Sequence, residues 1–358
     1  MLKGHGGNIH DAAKRIGCLP EEVIDMSSNM NPLGPPSGLI DSIRENIESI
    51  CTLPEVDAKG ITTLLAQKFG IPSECVLAGN GTTQFIYSIP KALGSARALI
   101  VGPTYSDYED ACVMNHVEYS YFFSDEEDGF DADIEKLLET VQNFDTVFIC
   151  NPNNPTGSLI SGDDLERLCR SCPETFFIVD ESYLPFAGDA YEMSAVKLKL
   201  SNVIVLNSMS KIYRIPGLRI GFLIASVPII YKFAELSLPW SVNAIAQSAV
   251  KYVLQDEAGE AFLKETRGFI ETEKELFLQR FNDNSKITLF SGTVYYLIAK
   301  LDPSVKAEDL CRELESEKIL IRNCANFIGL PENIVRFSLK DRDTNMLLAD
   351  KITEFLNR

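Results

Sequence analysis

Positive charge is in short supply in this chain. Its 358 residues include 33 lysines and arginines against 51 aspartates and glutamates, a formal net charge of -18. Such a surface excludes non-specific nucleic-acid binding, which needs a basic footprint. It favours solubility and obliges any anionic ligand to meet locally placed cations. Long hydrophobic runs are missing as well. None reaches the ~20 residues of a membrane helix, so no membrane partner is expected. Met1-Leu2-Lys3-Gly4-His5 offers no apolar h-region, so no secretory leader is expected. The nine cysteines are odd in number and scattered. That excludes a small disulfide scaffold and suits reduced thiols in the cytoplasm. Cys169 and Cys172 form a CxxC with no further ligand pair nearby, so no metal site is expected. Internal repeats and low-complexity linkers are absent too.

The apolar content is too high for a disordered chain, and the length allows a large core plus a smaller domain. A short helix and a Pro/Gly/Asn-rich arm are predicted between His5 and Pro36. Helices are predicted over Asp41–Ile50 and Thr62–Phe69, the second stopped by Gly70 and Pro72. Short apolar runs then alternate with helical stretches. Strands are expected at Cys75–Ala78, Ala98–Val101, Thr146–Cys150, Phe176–Val179, Val203–Leu206 and Ile220–Ala225. Thr83–Ala92 and Gly162–Cys172 are helical candidates between them. This alternation predicts an α/β domain with a mostly parallel sheet. From Ile230 the pattern changes to a long helical region reaching about Asn282. Strand-like runs follow at Thr293–Ala299, Ile319–Ile321 and Ile334–Leu339, then a terminal helix. We therefore expect an arm over 1–36, a large domain over 37–232 and a smaller α+β domain over 233–358.

The chemistry-bearing motifs sit at the ends of the predicted strands, where α/β sheets place ligands. Gly79-Asn80-Gly81-Thr82-Thr83 precedes a helix, whose free amides and dipole suit a phosphate. Asn151-Pro152-Asn153-Asn154-Pro155-Thr156-Gly157 follows one strand and, taken alone, is equally a surface turn. Asp180-Glu181-Ser182-Tyr183 follows another. A carboxylate there needs a cationic or hydrogen-bonding partner, or serves as a helix N-cap. Ser208-Met209-Ser210-Lys211 follows a third, and Arg219 lies eight residues on. A lysine in that setting becomes a nucleophilic amine if its pKa is lowered; otherwise it is one more surface lysine.

The joint order of these motifs, with Pro103-Thr104-Tyr105 between the first two, resembles the pyridoxal-phosphate aminotransferase superfamily of fold type I. The resemblance covers almost the whole chain. It implies pyridoxal 5'-phosphate as cofactor, carried as a Schiff base on Lys211, which also shuttles protons. It implies that Asp180 pairs with the pyridine nitrogen, that Asn154 and Tyr183 bond the ring's phenolic oxygen, and that Tyr105 stacks on the ring. Gly81, Thr82, Thr83, Ser208, Ser210 and Arg219 would hold the cofactor phosphate, and Arg336 would bind substrate. A homodimer with shared active sites is implied as well.

Two branches of the superfamily are close: histidinol-phosphate aminotransferases and the threonine-phosphate decarboxylases of cobalamin assembly. Four segments resemble the second: His5-Gly6-Gly7-Asn8-Ile9, Ser28-Asn29-Met30-Asn31-Pro32-Leu33-Gly34, Pro239-Trp240-Ser241-Val242-Asn243-Ala244 and Ile319-Leu320-Ile321-Arg322-Asn323-Cys324-Ala325-Asn326. The implied partner is a small phosphorylated amino acid, phosphothreonine or phosphoserine. His5, Gly6, Asn29, Asn154, Arg322 and Arg336 are then expected to contact it. Anchoring the distal phosphate through Arg322, His5 and Asn29 would turn the substrate so that the Cα–carboxylate bond, not Cα–H, is the one broken. The alternatives are an aminotransferase of histidinol phosphate or an aromatic amino acid, and a non-catalytic pyridoxal-phosphate protein. The retained lysine, aspartate, tyrosine and phosphate-loop pattern argues against the last. One departure stands out. Where the superfamily usually has Tyr-Pro reaching the neighbouring subunit's cofactor phosphate, this chain has Leu53-Pro54, and leucine donates no hydrogen bond.

Overall fold

Seven short strands, apolar along most of their length, make one sheet in the computed structural model, which describes residues 6–255, 257–282 and 284–358. A two-residue strand of the arm, β1 (Ile24–Asp25), precedes them. They are β2 (Val76–Gly79), β3 (Arg97–Gly102), β4 (Glu118–Phe123), β5 (Thr146–Cys150), β6 (Phe176–Asp180), β7 (Val203–Ser208) and β8 (Gly221–Ile224). The spatial order is β2-β8-β7-β6-β5-β3-β4. Every residue of β5 and β7 is buried, as expected where helices cover both faces. All neighbouring pairs are parallel except those of β8 with β2 and β7, so the sheet is mixed but mostly parallel.

The antiparallel β8 is what assembles the site. Its first residue, Gly221, pairs with Ser208 at the end of β7 and with Gly79 at the end of β2. Three loops far apart in sequence therefore open from one edge. A Cβ on Gly221 would lie 2.6 Å from the Thr82 amide nitrogen, so only glycine allows β8 to approach the helix Thr82–Leu93 so closely.

The second sheet holds β9 (Ile287–Phe290), β10 (Tyr296–Leu301), β12 (Arg322–Asn323) and β13 (Ile334–Ser338), antiparallel in the order β12-β13-β10-β9. The run expected as one strand at Ile319–Ile321 divides. β11 (Ile319–Leu320) pairs with β1 of the arm, and β12 pairs with β13. Met26, just past β1, is buried in the core of this second layer with Phe277, Leu297 and Phe337.

Some expectations need correction. β4 was not expected, because as an edge strand it alternates exposed and half-buried residues instead of presenting an apolar run. β9 was missed for the same reason. The helical region after Ile230 is broken at Pro239, and the helices are Val227–Ala234, Ala244–Gln255 and Glu257–Gln279. Ala246, Ala249 and Val250 are buried in one cluster with residues of the seven-stranded sheet and with Val294, Tyr295 and Tyr296.

Candidate active site

A cavity of about 280 Å³ opens at the carboxyl ends of the parallel strands. One end is a phosphate-shaped cradle. Gly81 has φ 77°, and a Cβ on it would sit 2.7 Å from Nη2 of Arg219. Glycine therefore lets the guanidinium lie against the backbone at the start of the helix Thr82–Leu93, whose first amides have no intrahelical acceptors. Thr82, Thr83, Ser208 and Ser210 line the same end. Ser208 and Ser210 are buried, and the Ser210 amide donates to Ser208 Oγ at 3.3 Å. Arg219 is exposed in the single chain and adopts φ 52°, a left-handed backbone uncommon for a branched-polar side chain. Guanidinium, hydroxyls and a helix N-terminus converging on one spot make a donor set suited to a phosphate dianion.

Lys211 follows β7 and faces the cavity. It is half-buried, open to the cavity and enclosed by protein elsewhere. Desolvation first, then the Arg219 and Arg336 charges, bring its pKa down to about 8, with Asp180 opposing. Roughly a tenth of the amine is thus neutral at pH 7, far more than for an ordinary lysine, and able to act as a nucleophile. The arm holds this segment in place. The fully buried Asn31 donates its amide to the Lys211 carbonyl at 3.2 Å. Its Nδ2 donates to Ile212 O at 2.8 Å and to Thr266 Oγ1 at 3.0 Å.

Asp180 ends β6 at the closed side of the cavity and is 4% exposed. Its Oδ1 accepts from the Ser182 amide at 3.0 Å and from Ser182 Oγ at 2.5 Å; its Oδ2 accepts from the Tyr108 hydroxyl at 2.9 Å. Burial pushes the carboxyl pKa up, while Ser182, Tyr108 and the Lys211 charge pull it back. A carboxylate so placed fits a cationic ring nitrogen. Tyr105 forms part of the cavity wall, edge-on to Tyr108 with centroids 5.9 Å apart. The Tyr183 hydroxyl accepts from Asn29 Nδ2 at 3.1 Å. Cradle, amine and carboxylate together match a phosphorylated pyridine aldehyde.

Arginines line the opposite wall. β12 and β13 pair Arg322 directly with Arg336. Arg336 is 4% exposed. It donates from Nη1 to Asn154 Oδ1 and from Nη2 to the Ser27 carbonyl at 2.7 Å, and it lies over the Tyr296 ring at 5.5 Å. Its Nε is buried without a hydrogen-bond partner, a donor left for a ligand. Arg322 is half-buried; its Nη2 donates to Asn326 Oδ1 at 2.6 Å, and it lies over Phe327 at 5.4 Å. Burial and the Arg336 charge lower its pKa. Neither guanidinium meets a carboxylate among the described residues.

Gly6 closes this wall. A Cβ there would lie 2.7 Å from the Ser27 carbonyl oxygen and 3.6 Å from Cδ of Arg322. Asn29 lines the cavity, but its side chain is already engaged, donating to Tyr183 and accepting from Ser338 Oγ at 3.0 Å. That arrangement makes it a brace for Tyr183 as well as a candidate ligand contact. His5 lies outside the described residues. Leu53 is 74% exposed on the surface of the single chain.

Several lining residues escaped the sequence reading. Tyr108 and Ser182 sit inside or beside quoted motifs, three residues after Tyr105 and two after Asp180, and that spacing was the available signal. Asn326 ends a quoted segment. Cys150 and Phe327 carried no signal at all.

The Aminotransferase class I and II family model matches residues 21–352. The chain is 32% identical over 355 residues to the adenosylcobalamin biosynthesis bifunctional protein CobDQ of Leptospira interrogans, covering 98% of this chain but 40% of that relative. It is 31% identical over 355 residues to threonine-phosphate decarboxylase of Salmonella typhimurium, covering 98% of this chain and 96% of the relative. Among solved structures, the histidinol-phosphate aminotransferase of Clostridium acetobutylicum superposes with a TM-score of 0.86 at 28% identity, covering 94% of this chain and 99% of the other.

Proposed function

The chain belongs to the class I and II aminotransferase family and is a pyridoxal-phosphate enzyme of fold type I, and within that family we propose that it decarboxylates a phosphorylated amino acid, L-threonine O-3-phosphate or O-phosphoserine. The observation that carries this reading is the register of β12 with β13, which sets Arg322 beside Arg336 in the cavity that also holds Lys211. Two guanidinium groups that meet no carboxylate among the described residues suit a substrate with two anionic ends, and phosphothreonine has both a carboxylate and a phosphate. The 31% identity to a threonine-phosphate decarboxylase supports the same choice.

Lys211 would hold the cofactor, with Asp180 facing its ring nitrogen and Tyr183 and Asn154 its phenolic oxygen. Gly81, Thr82, Thr83, Ser208, Ser210 and Arg219 would take its phosphate. Bound there, the cofactor supplies an electron sink for the pair released when a bond to Cα breaks. Arg336 takes the substrate carboxylate through its free Nε. Arg322 takes the distal phosphate, helped by the arm at Gly6 and Asn29. Anchoring the phosphate would orient the substrate so that its Cα–carboxylate bond, not Cα–H, is the one that breaks, remote binding energy making the selection. Carbon dioxide would leave, and Lys211 Nζ would supply the proton that replaces it at Cα. The product is an aminoalkyl phosphate, a building block for cobamide assembly.

The working unit we propose is a homodimer in the reducing cytoplasm. Ile50, Leu53, Val56 and Trp240 are exposed, and the Trp240 amide donates to the Val56 carbonyl at 3.0 Å, which brings those two together. Asn243 Nδ2 donates to the Leu218 carbonyl at 2.9 Å, so this region adjoins the cradle around Arg219. Exposed apolar side chains of that kind suit a second copy.

Aminotransfer on histidinol phosphate is the second reading, favoured by the structural match to such an enzyme. Mass spectrometry of products from phosphothreonine, phosphoserine and histidinol phosphate, each with and without 2-oxoglutarate, separates the two. Decarboxylation predicts an aminoalkyl phosphate and carbon dioxide without 2-oxoglutarate. A keto acid from either phosphoamino acid, or a ketone phosphate from histidinol phosphate as the sole product, formed only when 2-oxoglutarate is present and without carbon dioxide, would sink the proposal.

A further inference from the structure

Asp180 is held from two sides by neutral donors, and one of them reaches it from a distant helix. Tyr108 lies in the first turn of the helix Asp107–Met114, three residues after Tyr105. It is 1% exposed. Its ring stacks on Phe148 of β5 with centroids 5.3 Å apart and planes at 18°, and it meets Tyr105 edge-on at 87°. The ring is therefore fixed on one face by the sheet and on one edge by the cavity wall, which sets the direction of its hydroxyl, with Cys150 beside it. That direction is Oδ2 of Asp180, 2.9 Å away.

We propose that Tyr108 is a positioning residue that sets how strongly Asp180 competes for the proton on the cofactor's ring nitrogen. This rests on the reading that pyridoxal phosphate binds with that nitrogen facing Asp180. A phenol has one proton to donate, and here the carboxylate receives it. Donation to a carboxylate stabilises its charged form and lowers its basicity. Ser182 acts likewise on Oδ1. With both oxygens so occupied, Asp180 stays an anion that attracts the ring proton without taking it. Lys211, Cys150, Tyr105, Tyr183 and Glu181 also face Asp180. Cys150 Sγ is turned to the Pro152 carbonyl, and Glu181 accepts from Ser194 Oγ and the Ala195 amide. Tyr108 has a second consequence: by abutting Tyr105 it ties the wall against the ring face to the partner of the ring nitrogen, so both shift together.

The test uses holoenzyme loaded with coenzyme labelled with 15N in the ring. Tyr108→Phe keeps both ring contacts and removes only the hydroxyl. Its 15N resonance is expected to move towards the unprotonated position, because Asp180 becomes more basic when that donor is lost. Ser182→Ala removes a donor from the other oxygen and is expected to move the resonance in the same direction, which keeps the proposal testable if Tyr108→Phe folds poorly. Phe277→Leu, which weakens packing in the core of the second sheet away from Tyr108, is expected to lower Tm and leave the resonance in place. A Tyr108→Phe enzyme of lower Tm with unchanged resonance would show a merely structural tyrosine and overturn the proposal alone. Wild-type protein that takes up no coenzyme would overturn the cofactor reading and this proposal with it.

Discussion

The cofactor side of the cavity is made by strand ends that lie side by side in one sheet, whereas the substrate side is stitched from segments hundreds of residues apart. Asp180 and Ser208 end the adjacent strands β6 and β7, Lys211 follows within one turn, and a ladder of backbone hydrogen bonds fixes their spacing. Arg336 and Arg322 come from the other sheet, and they reach the cavity only because the arm meets them. Arg336 donates to the Ser27 carbonyl, and Gly6 lies against the same carbonyl and Arg322. The first wall is rigid and carries the reactive amine and acid. The second depends on the arm's fit and carries the charges that choose a substrate. Damage to the first should remove chemistry or coenzyme; damage to the second should change what is accepted.

The largest effect expected is at Lys211. Lys211→Met should abolish turnover, since no other lysine among the described residues lines the cavity. The same variant isolates the cost of enclosing this amine in protein without coenzyme. Lysine keeps its proton up to about 10.5 when unfolded but only to about 8 when folded. Between those values the unfolded chain binds more protons, so stability rises with pH across that window, and below about 8 the penalty is present in full. Lys211→Met apoprotein should therefore be more stable than wild type at pH 7, by on the order of 2–3 kcal/mol after discounting for water in the open cavity. The difference should shrink towards pH 10.5. Urea unfolding at several pH values checks this, and a pH-independent difference would contradict it.

Arg322→Ala comes next. It should lower kcat/KM for phosphothreonine by about 100-fold while leaving coenzyme affinity unchanged. Equal losses on phosphorylated and unphosphorylated substrate would break the division between the walls. Ser208→Ala should do the reverse: coenzyme affinity down by about tenfold, with the ratio of kcat/KM for phosphothreonine to that for threonine unchanged. Equilibrium dialysis and steady-state kinetics separate the two variants.

Asn31→Ala, at the point where the arm grips the Lys211 segment, should have the smallest effect. Losing its buried contacts to Ile212 and Thr266 is expected to cost about 1–3 kcal/mol of stability. A lower Tm with a modestly lower kcat would place the arm in the support of the lysine as well as in substrate binding. An unchanged kcat would confine it to the substrate wall.

This division also explains what could be read in the sequence. β5, β6 and β7 are apolar from end to end and stop at turn residues, so their carboxyl ends, with Asn154, Asp180 and Ser208, were visible in the linear pattern. The motifs that reside there did the same for Lys211 and Arg219. β4 and β9 were hidden because exposed positions interrupt them. Arg322 sits one residue past the strand-like run Ile319–Ile321, so the separate strand β12, whose register with β13 sets it beside Arg336, was not anticipated. Nothing in the spacing indicated that Asn31 would grip Lys211 or that Tyr108 would reach Asp180, 72 positions away. Those contacts depend on how the arm and a helix pack on the finished sheet, and no local rule encodes that.

The claim on which everything else rests is that Lys211 is the amine that carries the coenzyme. Borohydride reduction of coenzyme-loaded protein, followed by peptide mass spectrometry, tests it directly. The account predicts one stable pyridoxyl adduct, on Lys211. An adduct on a different lysine, or none, would contradict it.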